Sequence, residues 1–169
     1  MDNNIDETLF LTKANNRIKK IYNSITLDEV DKIKHFISDD FYQKIKKIIE
    51  DNNNNNLKLI YDEVNVACNI KKIKEEENNY IVIVECISKF LKYYVSKDNN
   101  EYISGDNNNR IVLKQKITFY KKKDGADNQT IKCSGCGSNF DIEETGICPY
   151  CGKTYELSKY DYIIEKVEL

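Results

Sequence analysis

Tryptophan is absent from this chain of 169 residues, and proline, histidine and methionine occur once each. Of the 26 basic residues only Arg17 and Arg110 are arginine; the rest are lysine. Bidentate reading of guanine or phosphate is mostly an arginine task. The 28 acidic residues leave a net charge of −2, so the excess of positive charge that a nucleic-acid binder needs is missing. No apolar run approaches the roughly 20 residues that span a bilayer. The opening Met1-Asp2-Asn3-Asn4 is acidic and polar, unlike a secretory leader, and a cytoplasmic location is expected. No phosphate-cradling glycine loop occurs. The sole histidine, His35, lies between Lys34 and Phe36 with no serine or cysteine near it in a nucleophile motif.

What is present is a soluble-type composition, 40% hydrophobic and 32% charged, in a chain long enough to bury a core unaided. Phe10, Ala14, Ile18, Ile21 and Ile25 recur at steps of three and four, the apolar stripe of a helix. Thr26 with Glu29 reads as a capping box opening a second helix that carries Val30, Ile33 and Ile37. Ser38 recaps the chain; Asp39 and Asp40 suit a first helical turn, and Phe41, Ile45, Ile48 and Ile49 face inward. The run Asn52 to Asn56 is expected as a loop closing the helical region.

From about residue 62 the period becomes two. Val64, Val66, Cys68 and Ile70 alternate with polar neighbours. Residues 80–95 are apolar on both faces, after a turn at Glu75-Glu76-Glu77-Asn78-Asn79. Tyr102-Ile103 reads as a short strand before a turn at Gly105-Asp106-Asn107, and Ile111, Leu113, Ile117 and Phe119 as a last long strand. Helices followed by an antiparallel meander give an α+β class: leading helices packed on a curved antiparallel sheet. Within it Glu85 is the one charge among apolar strand neighbours. Facing the sheet's cavity it would be a candidate acid with a raised pKa; paired with Lys114 or Lys116 it would be structural.

Composition shifts near residue 130. Four of the six glycines, the only proline (Pro149) and four of the six cysteines fall beyond it. The expected division is a first domain at 1–123, a polar linker at 124–130 and a small module at 131–169. Cys133-Ser134-Gly135-Cys136 and Cys148-Pro149-Tyr150-Cys151 stand eleven residues apart. Two such knuckles set four thiolates around one ion at about 2.3 Å, the preference of Zn²⁺. Gly137 and Gly152 supply the positive φ that a knuckle turn requires. The expected metal ligands are therefore Cys133, Cys136, Cys148 and Cys151. With all four positions filled by protein, the zinc is structural and the site carries a charge of −2. An iron centre shares the spacing; disulfides would need an oxidising compartment. Cys68 and Cys86 read as small buried hydrophobes. The segment Tyr155 to Val167 is expected to form a strand that returns to the first domain or completes the ribbon.

Several stretches together resemble the Tim44-like domain. Ser38-Asp39-Asp40-Phe41-Tyr42 is similar to the start of that family's central helix. Tyr93-Tyr94-Val95, a polar turn and Ile103-Ser104-Gly105 resemble its strand–turn–strand. Ile117-Thr118-Phe119-Tyr120-Lys121 resembles its last long strand. Bacterial relatives append a four-cysteine ribbon and close with an Asp-aromatic strand like Tyr160-Asp161-Tyr162-Ile163-Ile164. Lys92, Ile117 and Tyr162 depart from the family's usual residues. The resemblance implies a cone-shaped fold of the cystatin-like, nuclear-transport-factor-two-like group. It implies a binding role in protein translocation or at a membrane. With no catalytic groups brought together in the sequence and the charge balance disfavouring nucleic acid, a non-enzymatic binding or scaffold domain with a protein or peptide partner is expected. The alternatives are an enzyme or small-ligand binder using the cone of the sheet, and a nucleic-acid module working through the ribbon.

Overall fold

The computed structural model describes residues 5–143 and 145–169; the leader reading of Met1–Asn4 lies outside them. Two helices pack on a curved antiparallel sheet, the α+β arrangement expected. Helix α1 spans Glu7–Leu27 and α2 spans Asp39–Asn54. The main sheet has the order β1-β2-β3-β6, with β1 at Leu57–Glu75, β2 at Asn79–Ser96, β3 at Tyr102–Lys122 and β6 at Ile163–Ile164. A separate ribbon pairs β4 (Thr130–Lys132) with β5 (Asn139–Asp141).

The stripe Phe10, Ala14, Ile18, Ile21 and Ile25 is buried, as its spacing requires, and each large member contributes about 1.5–3 kcal/mol by leaving water. Asp6 caps α1 by accepting from the Leu9 amide. The capping box at Thr26 does not form. The helix runs through it to Leu27, and Asp28 ends it in the left-handed region. The Thr26 hydroxyl instead clasps β1, accepting from Tyr61 N–H and donating to Tyr61 C=O. A tertiary partner prevails over the local cap. The helix expected over Val30 to Ile37 is two 3-10 turns, Val30–Lys32 and Lys34–Phe36, which place Val30, Ile33 and Phe36 in the core. Ser38 does cap α2, its hydroxyl accepting from Phe41 N–H at 3.2 Å. The asparagine run is not all loop: α2 continues through Asn54 before turning at Asn55.

The sheet is longer than its periodicity announced, β1 starting at Leu57. Its curvature has identifiable causes. Pairing slips between Asp62 and Asn65, with Glu63 at φ 51°, and again between Ile70 and Lys72; such bulges bend a strand and raise its twist. In β3 the two expected strands are one. Lys92 pairs with Asp106 and Phe90 with Ile111, so residues 107–110 bulge out between them, tied by Asn108 and Asn109 amides donating to the Asp106 carboxylate. Gly105 (φ 97°) is forced: a Cβ there would lie 2.6 Å from Tyr93 Cα.

The sheet face toward α1 carries Val82, Val84, Cys86, Ser88 and Phe90, all buried, opposite Ile117 and Phe119 of β3. Tyr22 of α1 packs on Tyr61 and Phe90 with ring centroids 4.9 Å apart in each pair. Its hydroxyl donates to the Glu168 carbonyl and accepts from Gln115. Helix α1 and the C-terminal segment thus fill the concavity.

Candidate metal centre

The ribbon's residues build the site from the knuckles outward. Gly137 N–H donates to Cys133 C=O at 2.8 Å and Gly152 N–H to Cys148 C=O at 2.9 Å. Both glycines take positive φ, 79° and 77°, which lets each chain reverse immediately after its second cysteine. The second hairpin shrinks to one bridge, Ile147 with Thr154. Phe140 and Ile142 are buried beneath, Phe140 against Tyr155 at 5.5 Å.

These turns bring together all four cysteines that the spacing singled out. The Sγ atoms of Cys133, Cys136, Cys148 and Cys151 lie within 4.8 Å of one another. Cys133 and Cys151 are 3.5 Å apart, Cys136 and Cys148 3.7 Å. Four sulfurs each 2.3 Å from one central ion would be separated by about 3.8 Å in a regular tetrahedron, so these two pairs stand near the edge length of such a shell and the remaining pairs lie within 4.8 Å. Cys133 and Cys148 are buried, Cys136 and Cys151 exposed, which leaves one side of the cluster open to an entering ion.

Donors surround the sulfurs. The Tyr155 hydroxyl donates to Cys133 Sγ at 3.3 Å, as does Gly135 N–H; Tyr155 in turn accepts from Ser134 N–H at 2.9 Å. The Tyr155 hydroxyl, joined by the knuckle amides, holds the Cys133 thiol down to about 5. The Ser138 hydroxyl and amide lower Cys136. At Cys151 the Lys153 amide pulls down, but hydrogen bonding with Cys133, Cys148 and Cys136 prevails and pushes it up to about 11. A cluster holding thiolate and thiol together releases its remaining protons when a soft or borderline cation binds.

Cys68 and Cys86 stand elsewhere. They face each other across β1 and β2 on the concave side, Cys68 Sγ donating to Cys86 Sγ at 2.7 Å. That bond, with burial, raises the Cys68 thiol. Glu85 lies on the opposite face. Burial's upward push on its carboxyl is outweighed by Lys71 at 3.3 Å and Lys114 at 3.5 Å, and its pKa falls below the ordinary value. Of the two placements, the lysine-paired one is observed, with Lys114 and Lys71 in place of Lys116. His35 is driven down to about 4, by burial first and the Arg17 charge second, and is neutral at pH 7.

The ribbon's seat on α1 escaped the sequence. Arg17, 8% exposed, donates to Asp161 Oδ2 at 2.8 Å and to Tyr162 C=O at 2.6 Å, with its guanidinium over the Phe36 ring. Lys13 pairs with Glu143 and, at 3.5 Å, with Asp161. The only available signal was an arginine beside the apolar stripe of α1 in an arginine-poor chain. The C-terminal segment returns to the first domain: Ile163 pairs with Tyr120 and Ile164 with Phe119. It is a two-residue strand after a 3-10 turn at Leu157–Lys159, shorter than the strand expected over Tyr155 to Val167.

A curved α+β sheet closed by its leading helix, with a four-thiol knuckle cluster appended, defines the class. The model of the Tim44-like domain matches residues 1–130, and the chain belongs to that family. No curated protein matches it. Among the described residues no helix is long and apolar enough to cross a membrane.

Proposed function

We propose that the chain is a non-enzymatic protein-binding or scaffold domain, acting in protein translocation or peripherally at a membrane, with one structural Zn²⁺ in its ribbon. The family supports the binding role. We assign residues 1–123 to the Tim44-like domain, 124–130 to a linker and 131–169 to the ribbon with its returning strand, and place the protein in the cytoplasm. The ligands are Cys133, Cys136, Cys148 and Cys151; four protein sulfurs leave the ion no position for substrate or water, which is the chemistry of a structural site.

The observation that carries the non-catalytic reading is the filled concavity. Of its polar groups, Tyr22, Gln115 and Ser88 are engaged with one another and with the C-terminal backbone, and the Tyr61 phenol, without a hydrogen-bond partner among the described residues, is pushed up by burial. Burial pushes the Tyr22 phenol up to about 12, a poor proton-transfer group at neutral pH. Affinity capture with the zinc-loaded chain from soluble and membrane fractions of its native host, read by mass spectrometry, is the test. Reproducible protein partners are expected. Capture of none, together with turnover of a small molecule by the purified chain, overturns the reading.

A further inference from the structure

Strand β3 is the inner neighbour of β6 for only two residues. Beyond that pair, Glu165 N–H still donates to Thr118 C=O at 3.0 Å. Then the C-terminal segment leaves the sheet edge: Val167 is buried, and Glu168 N–H turns to the Gln115 side chain at 2.8 Å. The edge it abandons continues. Register between β2 and β3 is unbroken from Ile111 to Lys122, so residues spaced by two from Thr118 share its orientation. Lys116, Lys114 and Val112 therefore turn their backbone N–H and C=O groups away from β2. Among the described residues no strand pairs with them.

An open edge of this kind is a template for a further strand. We propose that residues Val112–Lys116 of β3 form a docking edge for an extended acidic peptide segment, one alternating acidic with apolar side chains and adding antiparallel to the sheet.

Charge chooses the occupant. Lys114 and Lys116 are exposed and project on the same face as Val112, which is 62% exposed. Lys114 shares Glu85 with Lys71; no carboxylate among the described residues pairs with Lys116. An incoming strand sets alternate side chains beside these three, and acids there meet lysines across the pair. Its other side chains lie beside Ile111, 41% exposed, and half-buried Leu113, where apolar groups are favoured. The same lysines exclude a second copy. Antiparallel self-pairing centred on Lys114 sets it against itself, and centring on Gln115 sets Lys114 against Lys116; like charges directly opposite destabilise. The chain supplies a precedent, since its own Glu165 already donates to this edge one step further on.

The proposal rests on the protein-binding reading above and names its surface. The test is fluorescence anisotropy of a labelled twelve-residue peptide of alternating Glu and Val, against the zinc-loaded full chain at low salt. Saturable binding is expected, with an alternating Lys and Val peptide at least tenfold weaker. Val112→Pro removes an outward N–H at an edge position that tolerates proline and should weaken binding at least tenfold. Val112→Thr, which keeps the N–H, should bind as the parent does. Lys114→Gln with Lys116→Gln should weaken binding and flatten its salt dependence. Thermal melting and zinc content verify that each variant is folded. No saturation by about 1 mM, equal affinity for the two peptides, or an unaffected Val112→Pro variant overturns the edge. Partner capture by the parent chain alongside a silent peptide titration refutes the edge alone and leaves the binding role standing; failure of both removes both.

Discussion

Replacing Asp161 by asparagine tests what holds the ribbon on the domain. The side chains of Arg17 and Asp161 are 10% and 12% exposed and meet at 2.8 Å. Removing one charge from a buried pair leaves the other desolvated without a counter-charge, which costs about 3–5 kcal/mol. The asparagine amide would still accept one hydrogen bond from Arg17, returning about 1 kcal/mol, and the Tyr162 carbonyl and Phe36 ring remain. The expected loss is therefore about 3 kcal/mol, a large share of the roughly 5–15 kcal/mol that holds a domain folded. For a chain of this size that lowers Tm by roughly 6–12 °C. Melting followed by near-ultraviolet circular dichroism, with saturating zinc, reads it. The pairing predicts non-additivity too: Arg17→Met with Asp161→Leu should recover most of either single loss. It also predicts a pH signature. Burial alone would raise the Asp161 pKa; Arg17 and Lys13 reverse this and hold it below the ordinary value. Its stabilisation is complete above the unfolded-state value of about 3.9 and is lost as pH falls through the folded one. Asp161→Asn should flatten that acid limb. Losses that simply add, or a single-variant loss below about 0.5 kcal/mol, the ordinary range of surface substitutions, refute the reasoning.

Three further outcomes follow from the geometry. Protein purified without chelator should hold one Zn²⁺ per chain by elemental analysis; Cys133→Ser should lose it and unfold residues 130–155, while Cys68→Ser should retain it. The Tyr61 hydroxyl is buried with no hydrogen-bond partner among the described residues, so Tyr61→Phe should raise stability by about 1 kcal/mol, seen as a higher urea midpoint; a lower midpoint contradicts this. Gly105→Ala combines a positive φ with a contact at 2.6 Å and should cost at least about 2 kcal/mol by the same assay, while an unchanged midpoint would remove the claim of a forced glycine.

Local periodicity told most about this fold. The α1 stripe was legible because all five apolar positions answer to one neighbour, the sheet, and helix geometry alone spaces them. The cysteine cluster was legible because its two turns are local and each carries its own glycine. Thr26 misled because its hydroxyl serves a strand 35 residues away, and nothing in the adjacent residues records that. The stretch from Val30 to Ile37 has helical spacing, yet two 3-10 turns bury Val30, Ile33 and Phe36 equally well, and short apolar runs do not distinguish them. The bulge at 107–110 separates two halves of one strand that look independent in sequence. Arg17 and Asp161 are 144 residues apart, and only the fold makes them partners.

The pairing of Ile163 with Tyr120 makes the ribbon a closed excursion: the chain leaves the sheet at Lys122 and is stitched back beside the strand it left. Closing a flexible loop of about forty residues costs about 3 kcal/mol beyond a constant, a cost shared by the two-residue stitch, the Ser38 bonds to Ile164 and Glu165 and the buried Arg17–Asp161 pair. A ribbon folded around an ion held by the four cysteines would shorten the slack that must be closed, and would in that way link metal occupancy to the stitch. Stripping the metal would then act at a distance from the cysteines. It would add slack to a loop whose far end is still held, by Ser38 bonding Ile164 and Glu165 C=O and by the buried Arg17–Asp161 pair, so the sheet edge would stay covered while the ribbon between its anchors loosened.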